Sequence, residues 1–169
     1  LGGDKIRITG GEPLLRSTLT DLIGELSHFD GIKGIALTAI GVLLARYASE
    51  LKAAGLDRVT VSLGSIDRNG FKTMTGGGGS LDRVLAGIEE AQVARINNIK
   101  VNAVIKRGIN DQKILKMVEY FRSSSIVLRF IEYMDVGNIN HWKKSETVPS
   151  QEIVELIKKK WPMQAIKPN

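Results

Sequence analysis

The sequence predicts an α/β fold built on a parallel sheet, rolled toward a barrel but too short to close. Three observations carry this. Short apolar runs alternate with amphipathic stretches five times in strict order, which implies parallel strands joined by right-handed crossovers. Polar residues stand near the ends of several strands (Thr9, Thr38, Ser62, Asn102), as when a ligand site is shared among strands rather than held at one switch point. The chain has 169 residues, short of the ~250 of a closed eight-stranded barrel. No internal boundary shows, so residues 1–169 read as one domain, a partial or truncated barrel.

The elements follow in order. Residues 5–9 alternate polar and apolar at period two and read as a strand. Residues 14–26 carry Leu15, Leu19, Leu22, Ile23 and Leu26 at helical spacing. Residues 34–38 form a second strand, and 43–54 a helix stopped by Gly55. The third strand is 58–63 and the next main helix 81–93, with Ser80 as N-cap and Asp82 in the first turn. Strand 99–105 precedes a helix at 111–122. Strand 126–131 precedes a polar loop and a last helix at 151–160, whose Lys158, Lys159 and Lys160 suit a solvated C-terminal end.

Composition narrows the function. The chain is 43% hydrophobic and 25% charged, a globular balance. No stretch approaches the ~18 apolar residues of a membrane span, and no signal peptide is visible. There is no cysteine, which removes disulfides, zinc–thiolate sites and a cysteine nucleophile. The two histidines, His28 and His141, are far apart, so no metal site is expected. A cytoplasmic setting is the default. The net charge of +6 favours anionic partners. Aromatics are only 5%, and the cations sit in strands rather than along one helix face. Nucleic acid is therefore not expected as a partner.

Four features bear on chemistry. Gly10-Gly11-Glu12-Pro13 lies between the first strand and its helix. Its glycines bring backbone within reach of a ligand, and Glu12 offers an acceptor for an ammonium. A plain βα turn explains the string as well. Lys5, Arg7, Lys100 and Arg129 are strand cations. Turned inward they make an anion cradle; turned outward they snorkel. Glu132-Tyr133-Met134-Asp135 ends the fifth strand, with Gly137 and Asn138 behind it. A carboxylate there can act as base or acceptor, and Met134 fits core better than ligand contact. Gly76 to Gly79 match neither a phosphate loop nor a dinucleotide fingerprint and read as a flexible surface loop.

Four strings together resemble one family: residues 5–16 (Lys-Ile-Arg-Ile-Thr-Gly-Gly-Glu-Pro-Leu-Leu-Arg), 53–63, 101–111 and 128–138 (Leu-Arg-Phe-Ile-Glu-Tyr-Met-Asp-Val-Gly-Asn). They are similar to the radical S-adenosylmethionine GTP 3′,8-cyclase family of molybdenum cofactor biosynthesis. The resemblance implies a partial (β/α)6 TIM-like barrel, of which this chain would supply strands two to six, the first apparently missing. It implies S-adenosylmethionine and 4Fe-4S clusters as cofactors, GTP as substrate, and a radical that abstracts hydrogen from the GTP ribose before the purine cyclises. A homodimer is possible for the full-length protein. By the same resemblance Gly10, Gly11, Glu12, Ser62 and Met134 meet S-adenosylmethionine, and Lys5, Arg7, Thr38, Lys100 and Arg129 hold GTP; no catalytic residue is assigned. The family binds its clusters through cysteines, and this chain has none, so the chain alone is expected to be inactive. Ile40 stands where the family has an amide, and Gly64 where it has an aspartate. The competing expectations are a non-catalytic nucleotide-binding remnant and a different radical S-adenosylmethionine enzyme.

Overall fold

In a computed structural model, residues 3–135 and 142–166 are described. Gly137, Asn138 and His141 lie outside them. Five parallel strands form one sheet in the order β1-β2-β3-β4-β5. They are β1 (Lys5–Ile8), β2 (Gly34–Ala39), β3 (Arg58–Ser62), β4 (Lys100–Ile105) and β5 (Val127–Glu132). The helices are α1 (Leu19–Ser27), α2 (Leu44–Ala53), α3 (Arg68–Met74), α4 (Leu81–Val93), α5 (Ile114–Phe121) and α6 (Ser150–Lys158).

Spatial order equals chain order, and this settles the architecture. A doubly wound sheet reverses direction at a switch point and carries helices on both faces. Here right-handed crossovers between successive neighbours put the helices α1, α2, α4 and α5 on one face. The result is an open segment of a barrel wall. Its helix face is apolar: Ile35, Leu37, Val59, Val61, Val101, Ala103 and Ile105 are buried against Ile23, Leu44, Leu51, Val84, Ile88, Ile114 and Met117.

Helix α2 packs on α4 at close range because of Gly87. A Cβ there would stand 2.6 Å from the Gly41 carbonyl oxygen and 3.0 Å from Leu44 Cβ. Gly41 itself has φ +95°, and a Cβ there would stand 2.9 Å from Val61 Cγ1.

Several boundaries differ from the sequence reading. The helix expected over 14–26 is a 3₁₀ turn at Pro13–Leu15, a break, and then α1 from Leu19. The Glu12 carboxylate caps that turn by accepting from the Leu14 N–H at 3.1 Å, so it closes before Leu15, now 74% exposed, can join a helix. The helix expected at 111–122 is likewise a 3₁₀ turn followed by α5. The sequence reading missed α3. Its Asp67 N-cap, accepting from Gly70 N–H at 2.9 Å and from the Ser65 hydroxyl, was a legible start signal. Ser80 occupies the N-cap position of α4 but makes no side-chain cap bond; Asp82 is in the first turn as expected. Lys158 ends α6.

Candidate functional site

The face of the sheet away from the helices carries the candidate site. Strand register makes it a grid of five rungs, each two residues or ~6.6 Å above the last. From the N-terminal edge these are Lys5–Gly34; Arg7–Ala36–Arg58; Thr38–Thr60–Lys100–Val127; Ser62–Asn102–Arg129; and Val104–Ile131. Lys5, Arg7, Lys100 and Arg129, the four cations expected to share an inner face, do share it. Thr38 and Ser62 point the same way. Cations dominate the lower rungs; Ser62 and Asn102 stand on the fourth with Arg129 on the β5 side, and the top rung is apolar.

These cations are poorly neutralised. Among the described residues Lys5, Arg58, Lys100 and Arg129 make no ion pair or hydrogen bond, and Arg7 donates only to the Thr38 hydroxyl, at 3.0 Å. Lys100 and Arg58 are half-buried. Like charges gathered on one partly desolvated surface repel, and an incoming anion relieves that repulsion.

Above them the inner face opens into a cleft of about 510 Å3 lined by Ile40, Ser62, Gly64, Met74, Gly79 and Asn102, among others. The glycine run is exposed, as its reading as a surface loop expects, and it also borders this cleft. Gly78 and Gly79 line the cleft, and Gly76, Gly77 and Gly79 have φ between +64° and +88°. A tight left-handed backbone, open to glycine, brings the loop over the strand ends. Asn102 has a buried Oδ1 with no hydrogen-bond partner. Such an oxygen costs about 1–3 kcal/mol, and in a cleft it marks a place where a ligand donor is missing. Sequence reasoning noted Asn102 as a polar strand residue but did not select it. Nor did it select Arg58, which opens the strand read at 58–63 just as Lys5 opens its own.

The Gly10–Gly11–Glu12 segment crosses from β1 toward β2, and both glycines are exposed. Glu12 differs from the expectation of a carboxylate waiting for an ammonium. Each of its oxygens already accepts a backbone N–H, Oε1 from Leu14 and Oε2 from Ile40 at 2.6 Å. Its observed work is to tie the glycine loop to the end of β2. Met134 is 54% exposed, which corrects its reading as core; it lies just past β5 at the same end of the sheet as the cleft. Glu132 is neither base nor ligand in this arrangement. It accepts from both the Ser150 N–H and hydroxyl at 2.6 Å, starting α6, and these bonds hold its carboxyl below the usual carboxylate range.

Two further contacts fix the rim. Buried Asn110 donates to the Gly64 and Val104 carbonyls at 2.7 and 2.8 Å and accepts from the Lys106 N–H at 2.8 Å. Lys106 pairs with Glu146 at 3.0 Å and lies 4.6 Å from the centre of the Tyr133 ring. Its ammonium is held above the usual lysine range, first by the Glu146 bond. No group of three or more metal-ligating side chains occurs among the described residues.

The fold and this face define an open parallel β/α barrel wall with a cationic floor below a largely apolar cleft that carries Ser62 and Asn102, the class of fold that binds ligands at its strand ends. Residues 1–121 match the Radical SAM superfamily, and the chain belongs to that family. Curated relatives named GTP 3′,8-cyclase match nearly end to end. That of Xanthomonas campestris is 44% identical over 100% of this chain and 50% of its own length. That of Acidothermus cellulolyticus is 46% identical over 99% and 46%, and that of Staphylococcus aureus 44% over 99% and 49%. The chain thus spans about half the length of the curated relatives it matches. Among solved structures, a radical SAM methyltransferase from Sphaerobacter thermophilus superposes with a TM-score of 0.69 at 15% identity, covering 92% of this chain and 47% of that one. Coproporphyrinogen III oxidase from Escherichia coli gives 0.59 at 12%, over 92% and 38%. At such identities these share the fold alone, and they bear out the partial TIM-type barrel. No described helix is long and apolar enough to cross a membrane.

Proposed function

We propose that this chain is the central part of a GTP 3′,8-cyclase barrel, which converts GTP to 3′,8-cyclo-7,8-dihydro-GTP. The observation that carries the reading is the shared inner face. Lys5, Arg7, Thr38, Lys100 and Arg129 stand on it beside the upper-rung Ser62 and the exposed glycine loop. The cations would bind and orient the triphosphate, with Thr38 fixing the Arg7 guanidinium. Gly10, Gly11, Ser62 and Met134 would hold S-adenosylmethionine at the upper end, with Glu12 shaping the loop that meets it. The unpartnered Asn102 oxygen in the same cleft fits a ligand with hydroxyl or amine donors. S-adenosylmethionine would supply the hydrogen-abstracting chemistry; the residues here bind, orient and exclude water.

A 4Fe-4S cluster does not fit this chain. Such clusters are held by thiolates, and there is no cysteine. The chain by itself is therefore proposed to be catalytically incompetent, and to contribute substrate and cofactor contacts in a longer protein. A cytoplasmic location and a homodimeric full-length enzyme accompany this reading. Titration calorimetry tests the substrate half: GTP should bind, and more weakly as salt rises. No heat at about millimolar GTP would remove the reading. Cleavage of S-adenosylmethionine by the chain alone, supplied anaerobically with iron and sulfide, would overturn the claim of incompetence.

The second reading, a non-catalytic nucleotide-binding remnant, is favoured by Ile40 and Gly64. Both leave the cleft wall without polar side chains where the resembling family has them. It predicts GTP binding without measurable affinity for S-adenosylmethionine.

A further inference from the structure

The cations that sequence reasoning gathered come from β1, β4 and β5. The register adds one from β3. Arg58 shares a rung with Arg7, and only Ala36 stands between them. Two strand spacings, ~9.6 Å, separate their Cα positions. Below Ala36 on β2 is Gly34. The floor between the arginines is thus made of the two smallest residues, and nothing bulky rises from it.

The side chains use that space differently. Arg7 leans up the sheet to the Thr38 hydroxyl, 3.0 Å away. Arg58 leans down: its Nη2 lies 3.4 Å from where a Cβ on Gly34 would stand, and Lys5 Cγ lies 3.9 Å from the same point. The residues therefore meet over Gly34, which gathers a guanidinium, a lysine stem and the Asp57 carboxylate, whose Oδ2 lies 3.6 Å from the same point. Arg58 is half-buried, and among the described residues it has no ion pair or hydrogen bond. Its neighbour Asp57 is spent on the Ile35 N–H at 2.7 Å. That carboxylate offsets part of the local charge but makes no ion pair with Arg58, so the half-buried guanidinium keeps donors that an incoming anion can take up.

We propose that Arg58 is a specificity-determining residue of the anion site, contacting the phosphate farthest from the nucleoside and so selecting a polyphosphate over a monophosphate. The inference rests on the GTP reading above and deepens it. The upper-rung polar groups face the nucleoside end, and the Lys5–Arg58 pair marks the opposite, N-terminal end of the same face. A ligand laid along the face reaches that pair only through an extended phosphate chain. Planar guanidinium geometry suits two phosphate oxygens at once, which a lysine cannot match.

The test is titration calorimetry of wild type, Arg58→Gln and Arg58→Lys against GTP, GMP and inorganic tripolyphosphate at fixed salt. Thermal melting of each variant checks folding. Arg58→Gln keeps the stem over Gly34 and removes the charge. It should weaken GTP and tripolyphosphate about tenfold and leave GMP unchanged, with Arg58→Lys in between. A merely structural role would shift all three ligands together or none. Unchanged GTP affinity in folded Arg58→Gln overturns the inference while the GTP reading stands. Arg58-dependent tripolyphosphate binding without GTP binding upholds the anion site and removes the GTP reading. If Arg58→Gln does not fold, equal GTP-over-GMP preference in Arg58→Lys and wild type overturns the inference. Wild type that binds neither GTP nor tripolyphosphate overturns both.

Discussion

The Asn110 side-chain amide donates to the Gly64 carbonyl, 46 residues away in sequence, at 2.7 Å. The same amide nitrogen donates to Val104 O, and Oδ1 accepts from Lys106 N–H. One fully buried side chain thereby fixes the end of β3 against the end of β4, directly under the cleft mouth. Asn110→Ala should cost about 2–4 kcal/mol, because it removes the partner of three half-buried backbone groups at once. Asn110→Asp should cost at least as much near neutral pH, since a carboxylate offers no donor to either carbonyl. Denaturant unfolding of both variants checks this; losses under about 0.5 kcal/mol would contradict it.

Gly87→Ala sets two effects against each other. Alanine raises helix propensity by about 1 kcal/mol over glycine. The new Cβ would meet the Gly41 carbonyl oxygen at 2.6 Å, and both atoms belong to stiff backbone elements. Overpacking of this kind costs about 1–3 kcal/mol, so we expect net destabilisation and a lower melting midpoint. A raised midpoint would show that α2 and α4 can move apart freely.

Glu12→Gln keeps the shape of the side chain but weakens its two acceptor bonds, to Leu14 and Ile40. Charge-assisted bonds are roughly twice as strong as neutral ones. The glycine loop should loosen from the end of β2 with little change in global stability. Amide hydrogen exchange at Ile40 and Leu14 should speed up in the variant, and unchanged protection would rule out this tie.

Asp67 should be one source of acid sensitivity, beside Glu119, Glu132 and Glu152. The Asp67 carboxyl titrates below the usual carboxylate range, chiefly because it accepts the Gly70 backbone N–H, with the Ser65 hydroxyl and Lys113 adding to the effect. A group depressed in the folded state contributes stability above its unfolded value and loses it as pH falls through the folded one. The loss therefore belongs below about pH 4. Asp67→Asn retains a capping oxygen but cannot titrate. Its stability should fall less steeply than that of wild type between about pH 4 and pH 2; parallel curves would assign the acid response elsewhere.

Gly64→Asp would return a carboxylate to the cleft wall. Its Cβ would lie 3.1 Å from Met74 Cε and Cγ. Methionine adapts readily, so the cost should stay below about 1.5 kcal/mol. If the second reading holds, Gly64→Asp together with Ile40→Asn should raise affinity for S-adenosylmethionine, as measured by equilibrium dialysis.

Much of this was legible in the chain. Period-two alternation marked the first strand, and short apolar runs between amphipathic stretches marked the other four. The inward set Lys5, Arg7, Lys100 and Arg129 followed from cations that had no place on the helix face. What the sequence determined by itself was thus the strand–helix alternation, the polarity of the inner face, and, through the absence of cysteine, that no thiolate-held cluster is built from this chain. Tertiary structure alone decided the rest. Neighbour order separated a barrel wall from a doubly wound sheet, a choice local pattern does not encode. Register put Arg58 on the rung of Arg7 across Ala36, and folding gave the oxygens of Glu12 to Leu14 and Ile40. Such pairings depend on which distant backbone groups arrive beside a side chain, and that is fixed only when the sheet assembles.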